Sequence, residues 1–339
     1  MGLVMSSDVS LGVRLRQSVS SCLRRTFKRP KLASFEPTLR SGDVAFLSPR
    51  AILVSVLTSN KYDGLVAIPF DALQLQNVVG KTKYGDIQRA SYHGTPVIVK
   101  YMPPMVDRTT RRLFSDDLQV LVSLRHPNVV QCIGASWSSP LKACFVMEYL
   151  ERGDLFRLLG DSSVPLTWAD ELLNIAIGTA RGLAYLHSHH PPLLHRNLKS
   201  ANIHIGSDFS AKISGFAVRR DREVIENPWP QDVSLYWMSP EMLCGDRTTH
   251  KTDVFSFGII LAELDTRMVP YHDAQAQGPA LLHRILHEEL RPNLSDAPLE
   301  SLQQLYYRCV AADPRKRPRF EEILDLLETD VYSDALDLT

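Results

Sequence analysis

The chain has 339 residues, 44% apolar and 22% charged, enough to bury one large core or two smaller ones. Its 38 basic residues balance 38 acidic ones, so no global field draws it to nucleic acid, and no apolar run reaches the ~20 residues of a membrane-spanning helix. The five cysteines (Cys22, Cys132, Cys144, Cys244 and Cys309) are scattered and odd in number, which argues against a zinc motif or a disulfide framework and for reduced thiols in the cytoplasm.

Residues 1–40 read as a flexible arm. Its first 34 residues carry Arg14, Arg16, Arg24, Arg25, Lys28, Arg29 and Lys31 against Asp8 alone. Met1-Gly2-Leu3-Val4-Met5-Ser6 fits the pattern for myristoylation at Gly2. One acyl chain anchors weakly, and the basic cluster supplies a second signal for an anionic membrane surface. Two rival readings stand beside it, a mitochondrial presequence and a merely solvated arm. Residues 41–72 form an extension with one short strand, Ala51–Leu57.

A denser pattern begins at Leu73. The stretches Leu73–Val79, Asp86–Ser91 and Pro96–Tyr101 read as strands separated by Gly80, Gly85 and Gly94. A helix with Phe114, Leu118, Leu121 and Val122 on one face follows, then strands Val129–Ala135 and Ala143–Tyr149. After Gly153 helix dominates. Thr167 stands as an N-cap before Asp170 and Glu171, ahead of an apolar face running from Leu172 to Leu186. Val254–Leu264 is apolar nearly all round, as a helix buried inside a domain would be, and Phe320, Ile323, Leu324 and Leu327 mark a last amphipathic helix. The division is therefore a strand-rich lobe over 73–150, a helical lobe over 151–329 and a tail over 330–339.

Six motifs in order carry a family resemblance. They are Val97-Ile98-Val99-Lys100, His126-Pro127-Asn128, His195-Arg196-Asn197-Leu198-Lys199-Ser200-Ala201-Asn202, Ser239-Pro240-Glu241, the segment from Asp253 to Gly258, and Asp313-Pro314 through Arg317-Pro318. Together the chain resembles a eukaryotic protein kinase domain over residues 73–329. The resemblance implies an α+β bilobal fold, with a small antiparallel sheet and one helix in the N-lobe and a mainly helical C-lobe. Lys199 and the run Tyr236-Trp237-Met238 are similar to the serine/threonine-type enzymes of the tyrosine-kinase-like group.

The resemblance also shows what is missing. The catalytic-base slot, an aspartate in kinases, holds Asn197, and an amide accepts no proton at neutral pH. Gly215 fills the slot of the magnesium-holding aspartate, leaving Asn202 as the one metal-ligand position retained. The nucleotide positions that the resemblance assigns are Gly80, Gly85, Ile87, Ile98, Lys100, Asp117, Met147, Glu148, Leu150 and His204. Thr82 replaces the second loop glycine, and Asp117 stands for the lysine-pairing glutamate. Ile98 replaces the small residue above adenine and His204 the leucine below it, so both are expected to fill the adenine slot. His195, Phe216, Glu241, Asp253 and Arg317 are expected to hold the fold.

These readings imply a signalling pseudokinase that acts as a scaffold or an allosteric partner of an active kinase or signalling complex. Two alternatives stay open: a weak or atypical ATP-dependent serine/threonine kinase, and a nucleotide-sensing switch without turnover. ATP and magnesium are the cofactors at issue.

Overall fold

The computed structural model describes residues 66–82, 85–101, 120–139, 142–215 and 233–337. The Gly2 arm, the Ala51–Leu57 strand, Asp117 and Phe216 lie outside those residues, as does the expected helix except for residues 120–123, which are helical.

The first lobe is one six-stranded sheet. Its strands are β1 (Val66–Ala67), β2 (Leu73–Thr82), β3 (Gly85–Tyr92), β4 (Thr95–Tyr101), β5 (Cys132–Ser139) and β6 (Lys142–Glu148), in the order β1-β5-β6-β4-β3-β2. Neighbours from β2 to β6 pair antiparallel, and β1 adds parallel to β5. Alternation fixes which face is which. Val97 and Val99 point into a core with Ile68, Leu73, Ala90, Cys144 and Val146, so Ile98 and Lys100 face the opposite side.

The sequence reading is corrected at several boundaries. Gly80 does not end β2, because Gly80, Lys81 and Thr82 stay paired with Ile87, Asp86 and Gly85 past a register shift. The run Val129–Ala135 is two features, since Val129 bridges to Ile213 in the other lobe and β5 begins only at Cys132. The sheet reaches back to Val66, inside the stretch read as an extension, because buried Ile68 donates its N–H to Ala135 at 2.9 Å.

The second lobe is helical: α1 (Leu155–Gly160), α2 (Glu171–His187), α3 (Pro240–Leu243), α4 (His250–Thr266), α5 (Gly278–His287), α6 (Glu300–Cys309), α7 (Phe320–Leu326) and α8 (Tyr332–Leu336). A small hairpin, β7 (Ile203–Ile205) with β8 (Ala211–Ile213), completes it. Thr167 is not the cap of α2, which starts at Glu171; its N–H and hydroxyl bond Glu171 Oε2 at 3.0 and 3.4 Å instead. Helix α4 is buried on every side from Thr252 to Leu264, as expected. It touches α6 closely at Gly258, where a Cβ would meet Val310 Cγ1 at 2.7 Å and Cys309 Cβ at 2.8 Å. Residues 330–336 are not a tail, because α7 runs through a π-turn (Leu327–Val331) into α8 and buries Val331 and Ala335. Among the described residues no helix is long and apolar enough to cross a membrane.

Candidate functional site

The cleft between sheet and helical lobe collects most of the positions singled out in the sequence. Ile98 on β4 lies opposite Met147 on β6, and Lys100 lies opposite both Ile87 and Phe145. Gly80 pairs with Ile87, so the glycine stretch is placed over the same sheet face. The carboxylate of Glu148 is committed. Its Oε1 accepts the N–H of Gln131 at 2.7 Å and its Oε2 accepts Lys212 Nζ at 2.7 Å, tying the end of β6 to β8. Leu150 accepts the N–H of Gly153 at 3.2 Å, closing the turn that enters the helical lobe.

Below them, His204 is central in β7. Its Nε2 lies 2.9 Å from Ser214 Oγ. Burial lowers its pKa and the charge on Lys100 lowers it further, against the pull of Asp154, so the imidazole is neutral and within the field of Lys100. His204 on β7 of the helical lobe is thus close enough to Lys100 on the sheet to feel its charge.

The slots for the catalytic base and the metal come together in one small neutral cluster. Lys199 precedes the single turn Ser200–Asn202 and accepts the Asn202 N–H at 2.8 Å. Asn202 Nδ2 donates to the Asn197 carbonyl at 2.7 Å, and Asn197 Nδ2 donates to the Gly215 carbonyl at 3.3 Å. Ser214 donates its N–H to Asn202 O at 2.8 Å and its hydroxyl to the same oxygen at 3.3 Å. Gly215 has φ +70°, and a Cβ there would sit 2.7 Å from Asn202 Oδ1 and 2.8 Å from its Cγ. The Asn197 amide group does what a carboxylate cannot, because it donates to a carbonyl.

Of the framework positions, His195, Glu241, Asp253 and Arg317 lie among the described residues. Asp253 is buried in α4; its Oδ2 accepts the His195 N–H at 2.9 Å and His187 Nε2 at 2.8 Å, and its Oδ1 accepts the Arg196 N–H at 2.9 Å. Burial alone would raise its pKa, but the hydrogen bond and charge of His187, with His195 and the Arg196 N–H, hold it below the usual range. These bonds hold Arg196 at φ +58°, a conformation that costs a non-glycine residue about 1–3 kcal/mol. His195 itself is fully buried, and burial pushes its pKa down to about 4.

The Glu241–Arg317 pair forms as the motif implied. Arg317 is 0% exposed at its side chain and bonds both oxygens of Glu241, at 2.6 and 3.0 Å. Its remaining donors go to the carbonyls of Ala311 and Lys251, each at 2.9 Å, and of Ala312 at 3.4 Å, so no charge is left unsatisfied. One partner set escaped the sequence reading. Glu263, buried in α4, accepts Ser200 Oγ at 2.8 Å and Trp237 Nε1 at 2.5 Å, and burial pushes its pKa up to about 8. A lone acid in the otherwise apolar Val254–Leu264 run was its one visible signal.

Comparison with known proteins agrees with this geometry. A family model described as protein tyrosine and serine/threonine kinase matches residues 73–327. Among curated proteins, the probable serine/threonine-protein kinases drkD and drkA of Dictyostelium discoideum are 33% and 32% identical over 77% of this chain, which covers 20% and 40% of their own lengths. A putative serine/threonine-protein kinase/receptor, R831, of Acanthamoeba polyphaga mimivirus is 31% identical over 80% of the chain and 17% of its own length. The chain thus spans less than half of each of these relatives. With its sheet lobe, its helical lobe and its buried Glu241–Arg317 pair, this chain belongs to the protein tyrosine and serine/threonine kinase family.

Proposed function

We propose that this kinase domain is a pseudokinase of serine/threonine-type ancestry that works by binding, as a scaffold or as an allosteric partner of an active kinase. The observation that carries the reading is the neutral cluster of Asn197, Asn202 and Gly215. Phosphoryl transfer needs a base for the hydroxyl and hard oxygens for magnesium, and here the base slot donates a hydrogen bond to a backbone carbonyl. The three slots supply two neutral amide oxygens at most, so a magnesium–triphosphate does not fit them. Loss of a general base alone costs ~10²–10⁴ in rate.

Nucleotide binding is opposed separately, in this reading, by Ile98 and His204, the bulkier residues at the positions that the resemblance assigns above and below adenine. The test is a thermal-shift titration of the purified chain with ATP, with and without magnesium, alongside the Ile98→Ala, His204→Leu double variant. The parent is expected to melt at the same temperature up to millimolar ATP. The variant is expected to gain a shift that magnesium does not increase. A magnesium-dependent shift in the parent, or phosphate transfer abolished by Lys100→Met, would overturn the reading in favour of a weak serine/threonine kinase. A magnesium-independent shift in the parent would favour the nucleotide-sensing switch.

A further inference from the structure

A groove of about 570 Å³ opens in the helical lobe between the end of α4, the segment that enters α5, the segment that enters α6, and α6 itself. It shares no residue with the cleft. Two of its lining side chains are large, apolar and exposed: Met268 at 49% and Tyr307 at 60%. Three others are carboxylates, Asp265, Asp273 and Asp296, while its lining holds no lysine or arginine and one histidine, His272. The groove is therefore open, partly apolar and negative.

Nothing described neutralises that charge. Half-buried Asp265 accepts Trp168 Nε1 at 3.3 Å and the Ser295 N–H at 2.7 Å, and Asp273 accepts Asn293 Nδ2 at 2.5 Å, so these two acids bond neutral donors alone. Arg284 and Arg291 line a neighbouring pocket that shares Asp273 and Asn293, but both have partners of their own. Arg284 pairs with Glu288 at 3.2 Å; Arg291 donates to the carbonyls of Val310, Ile285 and Leu290 and lies in the field of Glu289. The complementary charge stands elsewhere in the same chain. Arg24, Arg25, Lys28, Arg29 and Lys31 fall within eight residues with no acid among them, and they lie outside the described residues. Residues 32–65 join them to β1 and extend to roughly 110 Å, about twice the ~50 Å width of a domain of this size, so the groove is within reach.

We propose that this groove is the docking site of the chain's own basic segment, Arg24–Lys31. Its cations face Asp265, Asp273 and Asp296, and a guanidinium or the ring of Phe27 lies on Tyr307 and Met268, which suit either contact. Single exposed ion pairs are weak, so the contact rests on several at once and on the tether. A tether of this kind holds its segment at an effective concentration in roughly the millimolar range, enough to fill a site too weak to capture a free peptide. The same cations serve an anionic membrane surface in the reading of the arm, so docking in the groove and binding to lipid exclude each other.

The test uses the full chain at low salt, as an equal mixture of unlabelled and ¹⁵N-labelled protein, treated with a carbodiimide that joins a carboxylate to a lysine amine in direct contact. Mass spectrometry is expected to find Lys28 or Lys31 joined to Asp273 or Asp296 within one isotopic chain, at a yield that falls about fivefold or more in roughly 0.5 M NaCl. Trypsin supplies a second readout. Cleavage after Arg24, Arg25 and Lys28 is expected to speed up about threefold or more in the Asp273→Asn, Asp296→Asn variant, with cleavage after Arg14 unchanged. Both substituted residues are exposed and the change is isosteric, so the variant is expected to melt with the parent. No coupling of the two lysines to the groove overturns the proposal, as does equal coupling to exposed acids elsewhere, such as Glu300 and Glu321. Coupling only between isotopes makes a second copy the occupant and overturns it too. Equal cleavage in parent and variant overturns the role of the aspartates and the site as stated.

Discussion

Restoring the two missing carboxylates tests whether the neutral cluster is a worn-out catalytic site or a working piece of structure. In Gly215→Asp the new Cβ enters at φ +70° and 2.7 Å from Asn202 Oδ1, so the Asn202 side chain must move. Moving it breaks the 2.7 Å bond from Asn202 Nδ2 to Asn197 O. A left-handed non-glycine residue costs about 1–2 kcal/mol, and a lost hydrogen bond about 1 more. In Asn197→Asp the 3.3 Å donation to the Gly215 carbonyl is replaced by a carboxylate facing that oxygen, at a cost of about 1–3 kcal/mol. The residues touch, so the two costs do not simply add. A combined loss of about 3–5 kcal/mol lowers Tm by roughly 6–20 °C in a domain of this size. The assay is differential scanning calorimetry of both single variants and the double, with and without magnesium–ATP, followed by a phosphate-transfer assay. The double variant is expected to be less stable, inactive and unrescued by magnesium while Ile98 and His204 remain. A double variant that melts with the parent and transfers phosphate would show that the cluster carries no structural role and that the cleft is open.

Two further predictions concern the framework. Glu263 has a folded pKa of about 8 against an ordinary value of 4.5, so its contribution to stability is complete below pH 4.5 and is lost as pH rises through 8. His195 works in the opposite sense: its pKa of about 4 lies below the ordinary 6.5, so its contribution is complete above pH 6.5 and is lost as pH falls towards 4. The two oppose each other between pH 4.5 and 6.5. Above 6.5 Glu263 acts alone, for a loss of about 2 kcal/mol by pH 8. Melting curves at pH 6.5 and 8 should therefore separate in the parent and coincide in Glu263→Gln; an equal separation in both would remove Glu263 as the cause. In Arg317→Lys the cation stays, but it cannot span both Glu241 oxygens and also reach Ala311 and Lys251. A loss of about 3 kcal/mol, or roughly 6–12 °C in Tm, is expected by circular dichroism, and a change under 2 °C would show the pair to be dispensable.

What the sequence disclosed depended on how local the cause was. The motif Val97-Ile98-Val99-Lys100 is local, and its alternation sends Val97 and Val99 into the sheet core, leaving Ile98 and Lys100 on the opposite face. The all-round apolarity of Val254–Leu264 likewise announced a buried helix. Boundaries set by a distant partner were not legible. Val129 is as strand-like as Cys132, but the backbone of Val130 donates to Ile213 in the other lobe rather than to a neighbouring strand. Thr167 has the chemistry of an N-cap, yet Asp170 takes a turn conformation (φ −129°, ψ −86°) that starts the helix after it. At the site, the paired charges of Glu241 and Arg317 followed from motif order. The donation from Asn197 to Gly215 did not follow, because it joins residues 18 positions apart through a backbone carbonyl that no side-chain pattern marks.

The buried polar residues divide into two sets, and the division explains how this fold tolerates lost catalytic charge. Asp253, Glu241, Arg317 and Glu263 each satisfy several groups on separate segments, and removing any one leaves buried partners unpaired at several kcal/mol. The acids missing from positions 197 and 215 have no such debt. Their slots are filled by groups that bond one another and the backbone, so the loss leaves nothing buried and unsatisfied there. An aspartate pair without a metal would instead place two like charges within one small cluster, each raising the other's pKa. An amide and a glycine at these positions therefore avoid that repulsion. The rest of the lobe is held by the first set, whose bonds do not pass through positions 197 and 215.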